Sequence, residues 1–238
     1  MSTDRGQKVA VITGASQGIG AGLVEAYRKL GYGVVATSRS IAPSADADVV
    51  TVQGDIAEAA TAERVIDAAL SRFGRVDTLV NNAGIFVAKP FTDYTADDFA
   101  AVIAVNVAGF FHITQRALRP MLDQGSGHVV NITTSFVDHP NSAVPSVLAS
   151  LTKGGLASAT KSLAIEYATR NVRVNAVSPG VIKTPMHGVE THATLAGLHP
   201  VGRMGEISDI VDGVIYLESA SFVTGEVLHI DGGQAAGH

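Results

Sequence analysis

Three stretches of this sequence hold residues whose types and spacing could do chemistry. The run "VPSVLASLTKGGL", residues 144–156, is small, apolar or hydroxylated almost throughout and carries one charge, Lys153, with Ala149 one helical turn before it. The stretch "TGASQGIG", residues 13–20, spaces Gly14, Gly18 and Gly20 as G-x-x-x-G-x-G around Ser16, Gln17 and Ile19. Placed between a strand and a helix, such glycines allow a tight turn and bring backbone close to a pyrophosphate at a helix N-terminus. The third stretch, "ATSRS", closes the second predicted strand, where an acidic residue would bind a ribose 2′-hydroxyl. Ser38 takes that slot and Arg39 follows, so a guanidinium and hydroxyls stand where a 2′-phosphate would be attracted. This favours NADP(H) over NAD(H), although Gln17, at a second place where a base could help, is neutral.

The elements that must hold these residues alternate along the chain. Strands are predicted at 8–13, 33–38, 49–55, within 76–84, and at 127–135, 172–180 and 226–233, with helices at 18–31, 61–74, 96–122 and 145–169. Strict alternation predicts an α/β fold: a three-layer, Rossmann-type, doubly wound parallel sheet in a single domain over residues 1–238. The region of about 185–205 has no clear periodicity and is rich in Gly, His and Thr, as expected of a substrate loop beyond a strand's C-terminal end.

Composition narrows the function classes. Lys and Arg number 17 against 22 Asp and Glu, with no basic run, which argues against nucleic acid and anionic membrane surfaces as partners. The absence of cysteine excludes disulfides, thiolate chemistry and Cys-ligated zinc, and the eight His show no HExxH-type spacing, so no metal is expected. The N-terminus "MSTDRGQK" lacks an apolar signal core and no uninterrupted apolar run is expected to span a bilayer, so the expected location is the cytoplasm.

Taken in order, "TGASQGIG", "GDI" (54–56), "NNAG" (81–84), "NVAG" (106–109), "VVNITTS" (129–135), "LTKGGL" (151–156), "RVNAVSPGVIKTPM" (173–186) and "VTGEVLHIDGG" (223–233) resemble a short-chain dehydrogenase/reductase from about Lys8 to Gly233. The resemblance implies that Asp55 and Ile56 flank an adenine and that Asn82, Ala83 and Gly84 form the turn beside its ribose. It also implies that Pro179, Gly180, Ile182 and Thr184 line a nicotinamide. The family's chemistry uses Asn, Ser, Tyr and Lys: the Tyr donates a proton, the Lys holds ribose hydroxyls and lowers the Tyr pKa, the Ser orients the substrate oxygen, and the Asn positions a water. By resemblance, Asn106 and Lys153 take the Asn and Lys roles. The Ser slot falls on Thr134, with Thr133 or Ser135 as its neighbours in register.

The Tyr slot holds Ala149. The chain's five tyrosines, at 27, 32, 94, 167 and 216, all lie outside the helix before Lys153. The segment from Thr134 to Lys153 is also about two residues longer than the family's and carries Pro140 and Pro145, which argues against a tyrosine replaced by engineering. Three readings follow from the residues present. One is an active oxidoreductase with a substitute donor: His139, Ser142, Ser146, Ser150, or a water held by Lys153 and Asn106. Another is an imine or iminium reductase, whose substrate already carries its proton. The third is a nucleotide-binding protein without catalysis. A small-molecule substrate set by residues 136–148 and 185–205 is expected, with His187, His192 and His199 facing solvent. The resemblance further implies a homo-oligomer, a tetramer or dimer.

Overall fold

A computed structural model describes residues 6–237; residues 1–5 and 238, the ends of the predicted domain, lie outside the described residues. Seven strands form one parallel sheet: β1 (Val9–Thr13), β2 (Gly33–Ser38), β3 (Val49–Gln53), β4 (Thr78–Asn81), β5 (Gly127–Ile132), β6 (Val172–Pro179) and β7 (Val227–Ile230). Their order is β3-β2-β1-β4-β5-β6-β7, so the direction of winding reverses between β1 and β4. A crevice opens at such a reversal, outside the carboxyl ends of the strands. The central strands are apolar in near-continuous runs because both faces are covered.

The covering helices are α1 (Gly18–Lys29), α2 (Ala59–Phe73), α3 (Ala96–Val102), α4 (Phe110–Gln124), α5 (Val147–Tyr167), α6 (His192–Ala196) and α7 (Ile207–Ser219). One apolar core, including Val11, Val65, Leu79, Ile113 and Val129, lies under α2 and α4. The other, including Ile12, Leu23, Val34, Ile210 and Val214, lies under α1 and α7. Helix α7 was not among the predicted helices. Its signals are a reciprocal cap, in which Glu206 and Asp209 each bond the other's backbone, and apolar residues at 207, 210, 211, 214 and 217. The region 185–205, expected to lack periodicity, contains the short helix α6.

α3 and α4 are joined through a π-helical segment, Ile103–Gly109, into one helix, Ala96–Gln124. That helix is long and apolar enough to cross a membrane by length and composition alone, with a mean hydropathy of 1.4, but it is not an uninterrupted apolar run, since Asn106, His112, Thr114 and Gln115 interrupt it. The value is high because a buried stripe (Val102, Ile113, Ala117, Met121) is joined by apolar side chains on the outer face: Phe99, Val107 and Phe111.

Candidate active site in the cleft at the strand ends

A cleft of about 760 Å³ lies over the carboxyl ends of the strands. Its floor begins at the glycine turn. Gly14 and Gly18 have positive φ, 64° and 57°, and a Cβ on Gly14 would come within 2.9 Å of the Ala83 backbone. No side chain caps α1, whose N-cap is Gln17, and its first turn holds no acid, so its leading N–H groups are left for an anion. Gly14, Ser16, Gln17, Gly18 and Ile19 line the cleft. Gly20 does not: it lies behind the turn, where a Cβ would overlap the Gly14 carbonyl oxygen.

Asn82 clamps this turn to the end of β4. Its Nδ2 donates to the carbonyls of Thr13 (2.9 Å) and Gly14 (3.1 Å), and Thr13 Oγ1 accepts from the N–H groups of Asn82 and Ala83. Asn82, Ala83 and Gly84 all line the cleft. Ser38, Arg39, Asp55 and Ile56 line its other end. There Asp55 accepts from Ala57 N–H at 3.0 Å, and the exposed Arg39 guanidinium is in no ion pair among the described residues. The cradle of glycine backbone and uncapped helix end fits an anionic dinucleotide. No group of three or more His, Cys, Asp or Glu suited to a metal ion occurs among the described residues.

At the opposite end, helix α5 brings Ala149 and Lys153 to the cleft one turn apart. Lys153 is 9% exposed, and its Nζ donates to the Ile132 carbonyl at 2.6 Å. No carboxylate pairs with it among the described residues, and burial lowers its pKa to about 8. Gly84 makes the space: a Cβ there would stand 2.9 Å from Nζ. Asn106, carried by the π-helical segment, accepts from Ile85 N–H (2.9 Å) and donates to the Ile85 carbonyl (3.0 Å) and Thr152 Oγ1 (3.1 Å). It is absent from the cleft lining and braces Ile85 against α5.

The structure separates the three hydroxyls at the end of β5. Thr133 Oγ1 donates to the Val177 carbonyl at 3.0 Å and Ser135 Oγ donates to Gln234 Oε1 at 2.9 Å, so both are committed to the fold. Thr134 faces the cleft with only a long 3.5 Å contact from Phe136 N–H. Of the side chains weighed as substitute donors, His139, Ser142, Ser146 and Ser150 are all outside the cleft lining, and Ser150 Oγ donates to the Phe136 carbonyl at 3.2 Å.

Pro179, Gly180, Ile182 and Thr184 line the cleft together with Val181. Beyond them the loop supplies Met186, His187, Leu195 and Leu198. His187 is partly buried and its pKa is lowered by burial, with His192 adding to the effect. His199 departs from the solvent-facing expectation: it is 3% exposed and its Nε2 accepts from Val181 N–H at 2.9 Å. Phe136 and Val144, in the stretch 136–148 expected to set the substrate, line the cleft, whereas sequence reasoning missed Phe86, which lies outside any motif and whose position depends on loop path.

A family model described as enoyl-(acyl carrier protein) reductase matches residues 14–235. The 3-oxoacyl-[acyl-carrier-protein] reductase FabG of Aquifex aeolicus is 36% identical over 241 residues, covering 95% of this chain and 96% of its own. Among solved structures, a tyrosine-to-phenylalanine variant of ElxO with NADPH bound superposes with a TM-score of 0.90 at 31% identity, over 97% of this chain and 100% of that one. The 3-ketoacyl-(acyl-carrier-protein) reductase of Brucella melitensis complexed with NADH gives 0.89 at 32% identity, over 96% and 98%.

Proposed function

Given that this chain belongs to the short-chain dehydrogenase/reductase family, we propose that it is a cytoplasmic NADP(H)-dependent oxidoreductase that interconverts a small-molecule carbonyl and its alcohol without a tyrosine proton donor. The observation that carries this reading is Lys153, a buried ammonium with no carboxylate partner among the described residues, which lines one cleft together with Thr134 and the glycine turn. The nicotinamide, when bound, supplies or accepts the hydride.

The chain's own residues handle the oxygen and its proton. Thr134 Oγ1 donates a hydrogen bond to the substrate oxygen, the role for which only it is free among 133–135. Ala149 stands where the family's tyrosine would, and Lys153 Nζ takes over as general acid in reduction, directly or through one water, and is reprotonated from solvent. An ammonium with a pKa of about 8 is matched to that work near neutral pH. Asn106 holds Ile85 and Thr152 in place on either side of Lys153. Arg39 and Ser38 select the phosphorylated dinucleotide. In support, the ElxO variant shows that a relative altered at a tyrosine still holds NADPH.

A second reading is favoured by Phe86 and Phe136, whose ring centroids lie 5.9 Å apart in the cleft lining. Aromatic faces attract cations, so an iminium could take the carbonyl's place, and it would need no acid at the hydride step. Titration with NADPH and NADH, followed by turnover of matched ketones and cyclic imines, tests both readings. Saturable NADPH binding with ketone turnover supports the first, and a strong preference for imines supports the second. Tight binding without turnover would leave a non-catalytic nucleotide-binding protein, and no binding of either dinucleotide removes the whole reading.

The assembly is a homo-oligomer, a tetramer or dimer, in the same proposal. Phe99, Val107 and Phe111 on helix 96–124 and Val147 and Leu151 on α5 leave an apolar face that a second copy would cover. Light scattering that returns a monomer mass would reject it.

A further inference from the structure

The loop at the far end of the cleft is held from behind by one side chain. His199 lies at the C-terminal end of the substrate loop, three residues beyond α6. Its backbone is fixed on both sides: its N–H donates to the Ala196 carbonyl at 3.1 Å, and its carbonyl accepts from Gly202 N–H at 2.8 Å. The imidazole then crosses to the turn after β6. Because Nε2 accepts from Val181 N–H, Nε2 carries no proton and the neutral ring bears its hydrogen on Nδ1. Nδ1 is buried and has no partner among the described residues. The whole polar interaction of the ring is therefore with Val181.

The fit around the ring is close. A Cβ on Gly180 would come within 2.7 Å of His199 Nε2, and one on Gly232 within 3.2 Å of His199 Cβ. Pro179, Gly180, Val181 and Ile182 present their other side to the cleft. Val181 is anchored a second time through its carbonyl, which accepts from Gly205 N–H at 3.0 Å. Without an acceptor at position 199, a buried N–H would be stranded and the turn would have to move.

We propose that His199 is a positioning residue for the nicotinamide half of the dinucleotide: by accepting from Val181 N–H it fixes the Gly180–Val181 backbone, and it ties the substrate loop to that backbone. The inference rests on the dinucleotide reading given above. Its effect is confined to one end of the cleft, since Ser38, Arg39 and Asp55 at the other end belong to β2, β3 and the turns that follow them.

The test compares a ligand that spans the cleft with one that fills only the adenosine end. Dissociation constants for NADPH and for 2′,5′-ADP are measured by calorimetry on the full chain, as wild type and as His199→Leu, His199→Asn and His199→Gln. Leucine removes the acceptor, the asparagine amide reaches only the place of Nδ1, and the glutamine amide oxygen reaches the place of Nε2 and can accept from Val181. Loss of one buried hydrogen bond is expected to weaken NADPH about 10-fold in H199L and H199N, with recovery in H199Q and 2′,5′-ADP within about twofold throughout. If H199L does not fold, H199N against H199Q makes the same contrast. Equal weakening of both ligands, unchanged NADPH affinity, or no recovery with glutamine would each overturn the inference alone. A wild-type protein that binds neither ligand would remove the dinucleotide reading and this inference with it.

Discussion

Two buried ionisable groups stand at opposite ends of the same sheet, and their surroundings could hardly differ more. At the amino ends of the strands, Glu218 is surrounded by donors. Its carboxylate accepts from Tyr27 (3.1 Å), Tyr32 (3.0 Å), Thr78 (2.9 Å) and His128 Nδ1 (2.9 Å). His128 Nε2 is in turn met by Asn175 Nδ2 at 3.1 Å, so the ring is neutral with its proton on Nδ1. At the carboxyl ends, Lys153 has one carbonyl. A buried charge with every lone pair used is a structural joint, whereas one left short of partners is held ready for a ligand. Burial alone would raise the Glu218 pKa, yet hydrogen bonds from His128, Thr78 and Tyr32 bring it down to about 2. For Lys153 nothing opposes burial.

The largest expected effect removes the ill-satisfied charge. Lys153→Met should cut turnover by about 10³-fold, through loss of the acid, while leaving the melting temperature unchanged or higher. A lowered melting temperature would show that Lys153 is a structural charge after all. Supplying the missing partner should move activity the other way: Ala149→Tyr should raise ketone reduction by about 10²-fold, and no gain would mean that the pocket is no longer shaped for a phenol.

The mirror-image experiment is Glu218→Ala. Leaving His128, Tyr27, Tyr32 and Thr78 without an acceptor should cost about 4 kcal/mol, or roughly 8–16 °C in melting temperature, with the surviving folded enzyme still active. The two ends should also respond to pH in the same direction but over separate ranges. The folded-state pKa values of Glu218 and His128 lie below their ordinary values, so the unfolded chain binds the extra protons and stability falls as pH drops, first through the His range and then below pH 4.5 toward about 2. Lys153 also has a depressed pKa, so between about 8 and 10.5 the unfolded chain again holds more protons, and stability from this group rises with pH. Ketone reduction should fall over that same alkaline interval as Nζ loses its proton. Denaturation curves across pH for wild type, E218A and K153M separate the contributions.

The smallest effect concerns a second charge in no ion pair among the described residues, Arg39, exposed rather than buried. Arg39→Ala should reduce the preference for NADPH over NADH by about 10-fold, equivalent to one charge-assisted contact of roughly 1.4 kcal/mol. Unchanged preference would mean that Arg39 is only a solvated surface residue.

Most of the sheet was legible in the sequence because its strands are apolar runs bounded by glycines, and the alternation left one plausible architecture. The glycine turn and the Ser38–Arg39 corner were legible because local backbone chemistry fixes them. What was not legible depended on tertiary path. Sequence register placed the Ser slot on Thr134 with Thr133 and Ser135 one step away, and it is the partners Val177 and Gln234, 44 and 99 residues away, that commit those two neighbours to the fold. His199 looked like a loop histidine because nothing nearby in sequence marks its contact with Val181. Helix α7 was missed although its caps and apolar spacing were present in the chain.

The π-helical segment Ile103–Gly109 has one more consequence. Widened turns insert extra residue into a helix without lengthening its reach, so α3 and α4 are out of phase with each other. Trimming a single residue from that stretch would let the coil relax to an ordinary pitch and swing Asn106 away from Ile85 and Thr152. Such a deletion would loosen the wall behind the ammonium while every side chain that meets a ligand stayed chemically intact.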